Sequence, residues 1–299
     1  MRRYQPAQAL ADAVADGQVD VDEAPGLYRY EIHGLGDPLV GVVGLIAIAD
    51  LLPHEGVRRK RQGRRRDLFE IRPILVIADG EVEVGAPGRS VLEIAGAETS
   101  HRILQVSPGD VSIPPPPYVI ADGHHRTQVA LRDGGVQTIL AMVVGRGGRG
   151  LRAGSFHRRF RVMPPLPGDV GDDFVIDPAA APVPVSGAIT LVSADGSAVA
   201  LRPRQEALRR LAGPVRGFGS AVAAALLYPH LGITEEDATY ARTIEAAVGD
   251  LEPGSGALLL PPSTPAAVVA AARAGVELPP KATQFSPKPA RGALMRLVD

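Results

Sequence analysis

Near its middle the chain reads as strand, tight turn, helix, strand. Residues 118–121, Tyr-Val-Ile-Ala, form a short apolar run after four consecutive prolines at 114–117. Asp122-Gly123 interrupts the run. Residues 124–132 follow as a helix, with Val129, Ala130 and Leu131 as its apolar positions and Gly134-Gly135 as its stop. Residues 136–144 return as a strand. Such a unit needs a sheet to pack on, so the fold class expected is α+β, a mixed sheet with helices.

Other segments agree with that class. Residues 27–32 alternate as a strand, Gly34-Leu35-Gly36-Asp37 reads as a turn, and residues 39–48 read as a strand covered on both faces. Residues 73–78 and 102–106 are further strands, and residues 6–16 a short helix closed by Gly17. Asp195-Gly196 lies between 188–193 and 198–202, a hairpin signal. Helices are expected over 205–211 and 220–227. Thr264-Pro265 opens another, with threonine as cap, proline at the first position and Gly275 closing it. The Pro-, Gly- and Asp-rich stretch 164–184 is the candidate boundary, dividing the chain into 1–165 and a C-terminal α+β part, 166–299.

A formal net charge of −1 over 299 residues argues against a polyelectrolyte binder, and the absence of cysteine excludes disulfides, thiolate zinc sites and cysteine nucleophiles. The longest apolar stretch, 39–49, is too short to cross a bilayer, so a soluble, cytoplasmic protein with no membrane partner is expected. The basic residues are almost all arginine. The three lysines, Lys60, Lys281 and Lys288, either mark positions where a compact charge suits better than a wide fork or stand there by chance.

Asp122-Gly123-His124-His125-Arg126 is the most informative stretch. The first N–H groups of a helix lack internal partners and carry partial positive charge, so a phosphate is held well there. Gly123 lets a ligand approach the backbone. Arg126 offers a two-pronged donor, and His124 and His125 donate hydrogen bonds or move protons near neutral pH. Asp122 caps the helix or binds a metal carried by a nucleotide, since no metal site made by the protein alone is evident. The plainer alternative is an Asp-capped helix with histidines packed inside or solvated outside.

The same residues, from Tyr118 to Arg126, resemble the hallmark of the bacterial domain-of-unknown-function 1015 family. Leu27-Tyr28-Arg29-Tyr30-Glu31, Pro53-His54-Glu55, the segment ending in Phe156-His157-Arg158, and Leu278-Pro279-Pro280-Lys281-Ala282-Thr283-Gln284-Phe285-Ser286-Pro287-Lys288 resemble its other motifs, in the family's order. The chain departs from the family after His54-Glu55, where the usual threonine, lysine and Asp-Arg pair give way to an arginine-crowded stretch in which Asp67 follows Arg66. The family is similar to free-serine kinases with a fold related to ParB and sulfiredoxin.

The resemblance implies a ParB/sulfiredoxin-like first part and ATP-dependent phosphorylation of a small hydroxyl substrate, free L-serine first, with ATP or ADP and Mg2+ as cofactors. On that implication Asp122 to Arg126 grip the phosphates and Glu55 is the general base, with His54 orienting it or contacting substrate and His125 in the catalytic set. His157, Arg158 and Lys281 supply further charge. Two other readings stand beside this one. The basic run 58–66, whose plainer reading is a mobile, solvated loop, suggests with the kinship to ParB a nucleotide-binding protein that binds DNA, and a non-catalytic diverged paralogue is the third.

Overall fold

In the computed structural model, residues 12, 14–17, 21–22, 26–34, 36–56, 72–85, 88–133, 137–178 and 181–296 are described. The helix expected over 6–16 falls mostly outside them, and the basic run 58–66 wholly so. The chain forms two compact units. Unit 1 comprises Met1–Leu52, Val57–Leu151 and Pro287–Asp299, and unit 2 comprises Pro53–Gly56 and Arg152–Ser286. The stretch 164–184 lies within unit 2.

Unit 1 contains β1 (Leu27–Gly34), β2 (Gly36–Ala47), β3 (Leu51–Leu52), β4 (Ile74–Ala78), β5 (Glu83–Val84), β6 (Ser90–Ala95), β7 (Ser100–Val106), β8 (Val111–Ser112), β9 (Tyr118–Asp122), α1 (His124–Asp133) and β10 (Thr138–Gly145). Among the described residues, eight strands form one sheet in the order β3-β9-β4-β10-β2-β1-β7-β6, and β5 pairs with β8. The sheet is mixed: β10 runs parallel to β4, and β3 to β9, while the other neighbours are antiparallel. Every residue of β4, Ile-Leu-Val-Ile-Ala, is buried, as its continuous β-branched and apolar sequence requires of a strand covered on both faces. Ile74, Val76 and Ala78 pack with Ala130 of α1 and with Ile139, Ala141 and Val143 of β10. Of the three consecutive apolar positions expected in α1, Val129 and Ala130 are buried but Leu131 is 61% exposed. Neighbours in sequence do not share a helix face, so one of three must point away from the sheet.

Unit 2 contains β11 (Arg152–Gly154), β12 (His157–Phe160), α2 (Val170–Asp173), β13 (Phe174–Pro178), β14 (Ile189–Ser193), β15 (Ala198–Pro203) and α3 (Gln205–Arg209). A helical stretch follows: α4 (Gly219–Val222), a wider π-helical turn over Ala223–Leu227, and α5 (Tyr228–Leu231). Then come β16 (Ala238–Ala241), α6 (Ile244–Val248), β17 (Gly256–Leu259), α7 (Pro265–Arg273) and β18 (Gln284–Ser286). The described strands form an antiparallel sheet in the order β13-β15-β14-β17-β12-β16, with β11 paired to β18. The Asp195-Gly196 hairpin forms as expected, with Gly196 at φ 82. So does the α7 cap, where Thr264 Oγ1 accepts from Ala267 N at 3.1 Å and Gly275 follows the helix at φ 67. Phe160, Phe174, Leu201, Leu227 and Leu258 centre the core. Among the described residues no helix is long and apolar enough to cross a membrane.

Candidate functional site

In unit 1, β9 ends at Asp122 and α1 begins at His124, so Gly123 makes the whole turn. Its φ of 117 is a conformation that side chains rarely adopt. A Cβ there would also collide with Ile74 of β4, approaching its Cβ to 2.8 Å. Glycine is therefore required here by the backbone and by the neighbouring strand, a different reason from the ligand approach that the sequence suggested. The first helical bond runs from Thr127 N to Gly123 O at 2.9 Å, so the amides of residues 124–126 precede the ladder.

Asp122 is the hub of this turn. Its Oδ2 accepts from Arg72 at 3.1 Å and from Arg126 at 3.2 Å, and its Oδ1 accepts from Lys288. Burial pushes the Asp122 carboxyl up, but Lys288, Arg126 and Arg72 together outweigh that and hold it at about 2. Arg126 is buried and also donates to Arg72 O at 2.5 Å, so its fork serves Asp122 and the backbone. Arg72 and Lys288 remain part-exposed. Among the described residues, three cations meet this one carboxylate beside a helix N-terminus, an arrangement suited to an anion. His124 is buried and His125 half-buried.

In unit 2, residues 53–56 are pinned to the Pro-Pro-Lys segment by backbone bonds. Leu278 N donates to His54 O at 2.9 Å and Gly56 N to Leu278 O at 3.0 Å. This buries both side chains of the His-Glu pair, which a solvated loop would have left exposed: His54 is 0% and Glu55 8% exposed. Glu55 Oε2 accepts from Thr283 N at 3.3 Å and Thr283 Oγ1 at 3.4 Å, and His54 Nε2 lies 2.9 Å from the same hydroxyl. With the hydroxyl proton given to Glu55, His54 Nε2 is the donor to Thr283. Burial raises the Glu55 carboxyl to about 7, against the opposing pull of Lys281, Thr283 and Arg158.

Lys281 Nζ sits 5.3 Å from the centre of the Phe156 ring. Arg158 is fully buried and donates to Glu235, to Phe156 O, to Lys281 O and to Pro280 O. His157 Nδ1 accepts from Leu260 N at 3.1 Å. Burial and Arg158 lower its pKa, against Glu245, so the ring favours the neutral form. Unit 2 thus brings together His54, Glu55, Arg158 and Lys281, and unit 1 brings together Asp122, Gly123 and Arg126.

Two participants went unread in the sequence. Thr283 lies inside the Pro-Pro-Lys motif, which was its signal. Arg72 carries no signal, because one arginine before a strand looks like any other. Lys288 stood out by the scarcity of lysine.

No protein-family model matches the chain, and no curated protein matches it. The domain-of-unknown-function 1015 resemblance therefore rests on the motifs. Among solved structures, SbnI with a C-terminal truncation, from Staphylococcus aureus, is 14% identical and matches with a TM-score of 0.51, over 85% of this chain and 86% of its own. The chain is similar to SbnI in fold. A free serine kinase in complex with AMP matches over 83% of this chain and 90% of its own, at 14% identity and a TM-score of 0.44. A conserved hypothetical protein from Pyrococcus furiosus matches over 83% and 94%, at 14% identity and 0.45.

Proposed function

We propose that the protein is a nucleotide-dependent kinase phosphorylating a small hydroxyl substrate, with free L-serine the first substrate to try on the strength of the motif resemblance. The observation that carries this reading is Glu55: a buried carboxyl, hydrogen-bonded by Thr283, with a pKa of about 7. A general base works best when its pKa lies near the operating pH, and strongly perturbed carboxyls concentrate at functional sites. Phosphoryl transfer asks little covalent work of a protein beyond a positioned nucleophile and charge to meet the phosphates.

The roles divide accordingly. The amides that open α1, with Arg72 and Lys288, meet the phosphates of ATP. Arg126 acts behind them by holding Asp122. The substrate oxygen bonds to the γ-phosphorus, the bond from that phosphorus to the β,γ-bridging oxygen breaks, and the hydroxyl proton passes to Glu55, giving a phosphate monoester and ADP. Both Asp122 oxygens are committed to cations, and among the described residues no group of three His, Cys, Asp or Glu is placed to hold a metal. That donor set does not fit a magnesium ion bound by protein side chains.

The test is phosphate transfer from ATP to a panel of free hydroxyl amino acids, followed by 31P NMR. Glu55→Gln is expected to lower turnover by about a hundredfold or more while leaving nucleotide affinity within twofold or so. Wild-type protein that transfers phosphate to no hydroxyl acceptor, or a Glu55→Gln variant with intact turnover, contradicts the assignment.

A further inference from the structure

The turn at 279–282 is closed by Ala282 N donating to Pro279 O at 3.1 Å. Proline is its second residue and Lys281 its third, at φ 59. That is the pattern of a type II turn, whose third position ordinarily takes glycine or asparagine. A lysine there holds a sparsely populated backbone conformation, which persists only where the surroundings over-determine it. Type I and type II turns differ by a flip of the peptide joining the second and third residues, and Pro280 supplies the carbonyl of that peptide.

Arg158 supplies the over-determination. Its Nη2 donates to Pro280 O at 3.2 Å, and its Nη1 donates to Lys281 O at 3.1 Å and Phe156 O at 2.5 Å. The other edge of the guanidinium is fixed by Glu235, with Nε 3.0 Å and Nη2 2.9 Å from Oε1. Tyr228 donates to the second Glu235 oxygen at 3.0 Å, and the Tyr240 ring lies 4.9 Å from Arg158 Cζ. A planar fork with five donors can hold two successive carbonyls and a carboxylate at once, and an ammonium cannot. Downstream of the clamped turn, Thr283 gives both its donors to Glu55. Among the described residues, Lys281 and Arg158 are cations that act on Glu55, and His54 reaches it through the Thr283 hydroxyl.

We infer that Arg158, anchored by Glu235, is a positioning residue for Glu55: its fork fixes the 279–282 turn that presents Lys281 and Thr283 to the carboxyl. Arg158 itself meets no substrate, because its side chain is wholly buried and its donors are spent on the protein. The consequence for turnover rests on the reading of Glu55 as the base, whereas the positioning is measurable without it.

The experiment is a 13C NMR titration of the Glu55 carboxyl in the full chain, assigned by its loss in Glu55→Gln. Arg158→Lys keeps the charge and loses the fork. It is expected to raise the Glu55 midpoint by about one pH unit, as Lys281 and the Thr283 donors drift away. In a Lys281→Met background the same substitution is expected to move the midpoint by less than half as much, because part of its action runs through Lys281. Glu235→Gln, which leaves Arg158 in place without its charged anchor, is expected to shift the midpoint in the same direction and serves as the readout should Arg158→Lys not fold. An unmoved midpoint in both variants overturns the inference, as does a shift equal in the two backgrounds. In the transfer assay, Arg158→Lys is expected to lower kcat, keep KM for ATP and move the rising limb of the pH profile with the carboxyl. Midpoints that move as expected in a protein that transfers no phosphate would uphold the positioning and defeat the kinase reading.

Discussion

Glu55 binds its proton more tightly in the folded chain than in an unfolded one, because burial lifts its pKa from 4.5 to about 7. The contribution to stability is fully present below the unfolded value and is lost as pH rises through about 7, where the folded state must hold a buried charge. Between about pH 5 and pH 8 the loss amounts to roughly 2 to 3 kcal/mol. Glu55→Gln removes the titration, so the stability of the variant relative to wild type, measured by urea unfolding, is expected to climb by that amount over the same interval. A difference that stays flat with pH would mean the carboxyl is not buried as described. The His54-Glu55 pair was legible in the sequence, but its burial was not. It depends on backbone bonds to Leu278, more than two hundred positions away.

At the scale of elements, the β9–Gly123–α1 turn joins sequence to site most directly. Gly123→Ala would have to adopt φ 117 and push aside the Ile74 side chain. A loss of about 2 kcal/mol or more is expected, read as a fall of several degrees in Tm. An unchanged Tm would contradict the turn geometry. β1, β4, β9, the Asp195-Gly196 hairpin and the Thr264 cap could be read in advance because each is specified locally, by alternation, by an unbroken apolar run or by a capping residue. β12 could not. Its sequence, His-Arg-Arg-Phe, has no strand signature, and it is a strand because β16 and β17 pair with it on either side. The four residues of β17, Gly-Ala-Leu-Leu, are too few for a periodicity to declare itself.

For the molecule as a whole, the division of the chain runs through the motifs themselves. Pro53–Gly56 belongs to unit 2, although the sequence on both sides belongs to unit 1. The Pro-Pro-Lys motif is split in the same way: Lys281 and Thr283 serve the Glu55 cluster of unit 2, and Lys288 serves Asp122 in unit 1. Such partitions arise from contacts distant in sequence, which no local pattern encodes. The turn opening α1, with Arg72 and Lys288 beside it, is proposed to receive nucleotide phosphates. Calorimetric titration of wild type and Lys288→Ala with ATP and with adenosine tests it. ATP is expected to bind far more tightly than adenosine, Lys288→Ala to weaken ATP binding by about tenfold, close to 1.4 kcal/mol, and adenosine to bind both proteins alike. Equal affinity of the two proteins for ATP, or no ATP binding at all, would contradict it.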